Sequence, residues 1–185
     1  MSDDLRRARD LDLLDAVEAL AGEPFEGEAW RVVREGRDPS VGGASLSRWC
    51  NGRFEVLYTA LDHDGALAEL HALLSSQPVF PSRPRWFAHR LRIAGARTLR
   101  IADMAMLGRL GVDVERWAQR DYGRTQQIAD AAHFLGFDGL MAPSARWACA
   151  NLMLFTDRLA PDAIALVASE PEPIDWTAWR RRTRR

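Results

Sequence analysis

The chain has no lysine. All 25 of its basic residues are arginine, as a GC-rich coding sequence would supply, and this excludes a Schiff-base lysine and any phosphate loop built on one. Cysteine is almost as scarce. Cys50 and Cys149 are the only two, too few for a disulfide framework, and neither lies in a Cys-x-x-Cys or Cys-His cluster of the kind that holds zinc. The four histidines, His63, His71, His89 and His133, are scattered, with only His63 and His71 flanking one predicted helix, so no metal is expected. No apolar run approaches the roughly 20 residues that cross a bilayer. The opening Met1-Ser2-Asp3-Asp4-Leu5-Arg6 is acidic and then mixed, the wrong pattern for a secretory signal. A cytoplasmic protein with no membrane attachment is expected.

A net charge of -1 argues against general nucleic-acid binding, which needs a strongly basic face. The one basic run is Arg180-Arg181-Arg182 with Arg184-Arg185, read as a solvated tail, with contact to an acidic partner or nucleic acid as the lesser alternative. What is present is an ordinary globular mixture, 47% hydrophobic and 28% charged, in which a core can form. Its 185 residues suit one domain and are short for two.

Helical spacing of Leu13, Leu14, Val17 and Leu20 predicts an amphipathic helix over residues 5–21, closed by Gly22. Residues 22–27 read as a loop and 30–33 as a short strand. The polar segment 37–47, with Gly42-Gly43, reads as a binding loop whose backbone can approach a ligand. Residues 54–60 read as a strand, and Asp62 or Asp64 caps a helix reaching Ser76 with Leu67, Leu70 and Leu74 buried. Pro78, Pro81 and Pro84 make 77–85 a loop. Strands over 86–93 and 98–101 flank a turn at Gly95. Helices follow over 104–110, 114–121 and 124–135, the last closed by Gly136. Strands over 137–142, 152–156 and 163–168 complete the order, and Pro171 and Pro173 release the tail. The succession predicts an α+β domain with a mixed or antiparallel central sheet flanked by helices.

Four polar residues stand out in this frame: Arg48, Tyr58, Glu69 and Ser144. Each has an ordinary structural reading. Arg48 suits a surface ion pair, Tyr58 a core aromatic with its hydroxyl at the rim, Glu69 a solvated helix residue, and Ser144 a turn or helix N-cap after Pro143. Trp49, Trp86, Trp117 and Trp147 read as core or partner contacts rather than stacking platforms.

The segments around those four carry a resemblance. Trp30-Arg31-Val32-Val33, Leu46-Ser47-Arg48-Trp49, Val56-Leu57-Tyr58-Thr59, Ala66-Leu67-Ala68-Glu69-Leu70 and Ala142-Pro143-Ser144-Ala145, with Asn151 beyond, resemble the RES-domain family. It is named for its Arg, Glu and Ser, and its known members are mostly toxins of bacterial toxin–antitoxin pairs. The likeness covers roughly residues 28 to 170, loosely between 77 and 125. It departs in one region: two glycines usually precede the Arg-Trp pair, where this chain has Leu46-Ser47, and the usual Asn-Pro-x-Gly loop is reduced to Cys50-Asn51-Gly52.

The resemblance implies an ADP-ribosyltransferase-like fold and an enzyme that consumes NAD without a metal. Carried over by position, Arg48, Tyr58, Glu69 and Ser144 form the catalytic set, and Arg31 and Asn151 join them in binding NAD. It also implies a catalytic domain over 28–170, which leaves the helix and loop read over 1–27 and the arginine-rich tail over 171–185 outside it. Departure of the pyridinium group as neutral nicotinamide leaves an oxocarbenium-like ribose beside a pyrophosphate. A planar guanidinium suits the phosphates, and a carboxylate suits the ribose, as in glycoside hydrolysis.

The reading is therefore a toxin that cleaves the nicotinamide–ribose bond of NAD, with water or phosphate as acceptor, so that growth stops as the NAD pool falls. Its alternatives are a protein ADP-ribosyltransferase using the same site and a non-catalytic corepressor that binds the antitoxin. The implied partner is a cognate antitoxin with an Xre-like helix-turn-helix. A hetero-oligomer with it would touch DNA only through that partner.

Overall fold

The computed structural model describes residues 9–183. Helix α1 (Leu11–Glu18) starts at Asp10, whose carboxylate accepts the Leu13 N–H at 3.1 Å, and it buries Leu13 and Val17. Of the helix expected over 5–21, residues 5–8 lie outside the described residues. Strand β1 (Gly22–Arg34) follows almost at once. The loop expected over 22–27 is the first half of this strand, because Phe25 packs into an apolar cluster with Leu91 and Ile93.

The partner of β1 is β5 (Trp86–Arg100), antiparallel along its length. The turn expected at Gly95 is instead a bulge inside one continuous strand. Gly95 takes φ +70, and the register steps from Phe25↔Ala96 to Gly27↔Ile93, so Ala94 and Gly95 stand opposite Glu26 alone. A left-handed glycine in a bulge bends a strand without ending it.

Between them lie β2 (Leu46–Ser47) and β3 (Cys50–Asn51), a small hairpin, then β4 (Val56–Ala60) and α2 (His63–Ser75). Asp62, rather than Asp64, caps α2, accepting the Gly65 N–H at 2.8 Å. After β5 come α3 (Met104–Arg109), a single 3-10 turn (Val114–Arg116) and α4 (Gly123–Phe134). Gly136, at φ +84, follows α4 where a left-handed residue ends a helix. β6 (Gly139–Pro143), β7 (Ala150–Phe155), β8 (Ile164–Ser169) and α5 (Trp176–Thr183) complete the order.

The helix expected over 114–121 is therefore only the one turn, since the residues after it cross a cleft. The tail released after Pro173 is likewise corrected to a helix, although Arg180, Arg181 and Arg182 on it stay exposed as expected. Asp175 accepts the N–H groups of Thr177 and Ala178 at 2.9 Å to start α5, and Trp179 is buried against Leu67 and Ala68 of α2. Two tryptophans three residues apart give this short helix an apolar stripe that outweighs its arginines. Arg184 and Arg185 lie outside the described residues.

The six strands form one mixed sheet in the order β1-β4-β7-β6-β5-β8, and the β1–β5 pairing joins its ends into a ring of five strands with β8 outside. Only β5 and β6 run parallel. Ala29, Leu57, Leu91, Ile93, Leu152 and Leu154 form one buried cluster on the strands. A larger cluster unites α1, α3 and α4 with β6 and β7 through residues such as Ile128, Phe137 and Phe155, and α2 and α5 cover Trp30, Val32 and Ala88. Among the described residues, no helix is long and apolar enough to cross a membrane.

Candidate functional site

The ring is weakest between β1 and β4, which share a single registered pair, Trp30↔Ala60. There the strands diverge, and a cavity of about 320 Å³ opens between them, α2, the β2–β3 hairpin and the segment before α4. That volume lies within the range of small-molecule sites. Arg31, Arg48, Tyr58, Glu69 and Asn151 all line it.

Strand pairing and helix phase bring these residues together. Asn151, the second residue of β7, stands opposite Ala60 of β4 and Ala142 of β6, and Tyr58 shares a face with Ala60 by the two-residue period of a strand. Above that face, α2 carries Glu69. Its Oε1 accepts two hydrogen bonds, from Ser144 Oγ at 2.6 Å and from Asn151 Nδ2 at 2.8 Å. Ser144 Oγ also accepts the N–H groups of Arg146 at 3.0 Å and Trp147 at 3.2 Å, so its ordinary turn role and its tie to Glu69 coexist. Ser144 is not itself a lining residue. Its hydroxyl holds the carboxylate from behind, and the amide orientation set by Nδ2 leaves Asn151 Oδ1 a buried acceptor with no partner.

Tyr58 is engaged from the hairpin side. Its hydroxyl accepts the Trp49 N–H at 3.0 Å and lies 2.7 Å from Ser47 Oγ, while burial pushes the phenol above its ordinary pKa. The phenol is thus saturated by the hairpin, and the ring remains for the cavity. Gln126 of α4 fixes the same hairpin by donating to the carbonyls of Ser47 at 2.8 Å and Cys50 at 3.1 Å. Of the binding loop expected over 37–47, Ser45 and Ser47 line the cavity, whereas Gly42 and Gly43 do not. A Cβ on Gly42 would stand 2.7 Å from Thr156 Oγ1 and 3.1 Å from the Val56 backbone, so this glycine serves packing.

Arg48 places its guanidinium 4.2 Å from the Trp117 ring and 4.9 Å from the Tyr122 ring. Its Nη2 donates to Gln119 O at 3.1 Å. Burial lowers the pKa of Arg48, offset by Tyr122 and Glu69. Arg31 is pulled down to about 10 by burial, with Asp38 opposing. It stays cationic at neutral pH, yet its buried Nη1 has no partner. Arg120, Tyr122 and Arg146 also line the cavity. Sequence reading missed all three, because each sits in an irregular segment whose path was not legible. Cys149 packs on the start of α2, its thiol pushed up to about 11 by burial. No group of three or more His, Cys, Asp or Glu among the described residues is arranged to hold a metal ion.

The model of the RES domain matches residues 28–177. This chain belongs to the RES-domain family. No curated protein sequence matches it. Among solved structures, this RES domain is similar to one chain of the M. tuberculosis MbcT–MbcA toxin–antitoxin complex, at TM-score 0.81 and 17% identity, covering 94% of this chain and 98% of that one. At that identity the likeness establishes the α+β fold, spanning nearly the whole length of both chains.

Proposed function

We propose that this RES domain is the toxin of a toxin–antitoxin pair and that it cleaves the nicotinamide–ribose bond of NAD. The observation that carries the reading is the Glu69 carboxylate, held by Ser144 and Asn151 in the cavity that Arg48 and Arg31 also line. An anion fixed between two donors, with guanidinium groups on the surrounding walls, matches a substrate whose reacting end becomes cationic and whose middle is doubly anionic.

In this scheme Arg48 and the unpartnered Nη1 of Arg31 bind the pyrophosphate. Glu69 balances positive charge on the ribose and accepts from its hydroxyls, with Ser144 and Asn151 positioning it. The Tyr58 ring supplies a flat wall. The glycosidic C–N bond breaks with its electron pair passing to nicotinamide nitrogen, and the new bond at the anomeric carbon forms to an anionic oxygen of phosphate or to water, which then releases a proton to solvent. Held donors need no reorganisation as charge develops, which is where their advantage over water lies. The RES family and the toxin–antitoxin origin of the structural neighbour support a partner antitoxin. In the proposed scheme that partner carries an Xre-like helix-turn-helix, through which DNA contact is indirect, and the pair acts in the cytoplasm.

Purified chain, freed of any antitoxin, is incubated with NAD with and without phosphate, and nicotinamide release is followed. The expected outcome is release that falls by about a hundred- to a thousandfold in Glu69→Ala and a raised KM for NAD in Arg48→Ala, each variant folded by circular dichroism. No release from the folded parent chain removes the proposal. Label transferred from NAD to a macromolecule would reassign the activity to protein ADP-ribosylation.

A further inference from the structure

Arg48 is held unusually for an arginine at a cavity wall. Its guanidinium contacts two aromatic rings from one short segment, Trp117 at the end of the 3-10 turn and Tyr122 just before α4. The two rings are unequal. Trp117 is core, 8% exposed, tilted against Trp49 at 6.1 Å, and its Nε1 donates to Ser144 O at 3.4 Å. Tyr122 lines the cavity itself. The segment between them is tied in its middle, at two consecutive residues, by Arg48 Nη2 to Gln119 O at 3.1 Å and by Arg120 Nη2 to Ala72 O of α2 at 3.3 Å.

A guanidinium loses most of its usefulness when it swings. Its fork recognises phosphate oxygens in its own plane, so contacts that fix the plane reduce the ordering cost of binding. Rings facing a guanidinium do this without taking any of its N–H groups. Beyond the Gln119 carbonyl, no other hydrogen bond of Arg48 occurs among the described residues.

We infer that Trp117 and Tyr122 are positioning residues that clamp the Arg48 guanidinium for in-plane binding of a diphosphate, with Trp117 also tying that clamp to the Ser144 turn that holds Glu69. The inference rests on the proposed NAD site and assigns it two determinants of affinity. Because the clamp acts on a group that binds phosphate and not on the bond that breaks, it governs KM rather than kcat.

The test uses the full chain, with NAD as substrate and inorganic pyrophosphate as a calorimetric probe. Tyr122→Ala is expected to raise KM for NAD, and to weaken pyrophosphate binding, by roughly three- to tenfold, the scale of a partly buried cation–ring contact, with kcat within about twofold. Tyr122→Phe keeps the ring and stays near the parent value. Trp117→Phe keeps a ring face but loses the bond to Ser144 O, so kcat falls with it. The discriminating measurement is the double variant: adding Tyr122→Ala to Arg48→Ala costs nothing further if the ring acts through the arginine. An undiminished Tyr122→Ala effect in the Arg48→Ala background overturns the clamp, and so does a Tyr122→Phe as impaired as the alanine variant. Should the parent chain release no nicotinamide, the proposed reaction falls while pyrophosphate binding still reads the clamp. Binding that is absent in the parent, or unmoved by Tyr122→Ala, overturns it.

Discussion

Ser144 shows how one hydroxyl can serve a turn and a site together. Its oxygen accepts from Arg146 N and Trp147 N while its proton goes to Glu69 Oε1. Ser144→Ala therefore removes a hydrogen bond to a carboxylate without opening a large cavity, and such bonds contribute about 1.5–3 kcal/mol. Nicotinamide release is expected to fall by tenfold to about a hundredfold, with a midpoint of thermal unfolding lowered by only a few degrees; unchanged turnover would show that Asn151 alone holds Glu69. Arg31 makes a prediction about pH. Its folded-state pKa, about 10, lies below the ordinary arginine value, so its buried charge disfavours the folded state below that pH and the cost is relieved as pH rises through it. A bound anion would restore the charged form. Pyrophosphate affinity measured by calorimetry is expected to hold steady at neutral pH and to decline as pH approaches and passes 10, and to lose most of that decline in Arg31→Gln.

At the scale of elements, α2 carries Glu69 and its start is set by close packing. Asp62 caps it, and a Cβ on Gly65 would stand 2.4 Å from Cys149 Sγ. Gly65→Ala is expected to destabilise the chain by about 1–3 kcal/mol through that overlap. In a Cys149→Ala background the same change becomes neutral or mildly stabilising, because alanine otherwise favours a helix over glycine by about 1 kcal/mol. Denaturant unfolding of the four chains gives the coupling, and additive effects would show that the helix shifts to accommodate either residue. Elements of this kind were readable from sequence where one physical signal dominated, as the acidic caps and leucine stripe did for α2 and the terminal glycine for α4. They were misread where a local signal had a second meaning. Gly95 carried the left-handed conformation of a turn, yet it lies in a bulge; Pro171 and Pro173 ended a strand, yet Trp176 and Trp179 then built a helix. The segment 114–121 has helical composition, and long-range bonds to Arg48 and Ala72 draw it across the cleft.

The whole molecule explains why the site joins residues far apart in sequence. β4 carries Tyr58 and lies beside β7, which carries Asn151 near its start and follows the Ser144 turn. Closure of the strand ring through β1 and β5 then leaves the β1–β4 seam as its one open side. Arg48, Tyr58, Glu69 and Ser144 could be singled out by the resemblance of their segments to RES-domain motifs, whereas Tyr122, Arg120 and Arg146 could not, since their places depend on that closure. A ligand in this seam bridges elements from both halves of the chain and should stabilise the fold as a unit. ADP-ribose, which keeps the diphosphate and lacks the scissile bond, contributes about 2.7 kcal/mol at a hundredfold excess over its Kd. For a domain of this size that corresponds to roughly 5–10 °C in the unfolding midpoint. Differential scanning calorimetry is expected to record one transition that moves as a whole by that amount, and to record little movement in Arg48→Ala. A shift confined to part of a split transition would mean that the cavity belongs to a locally unfolding unit and that the seam does not couple the two halves.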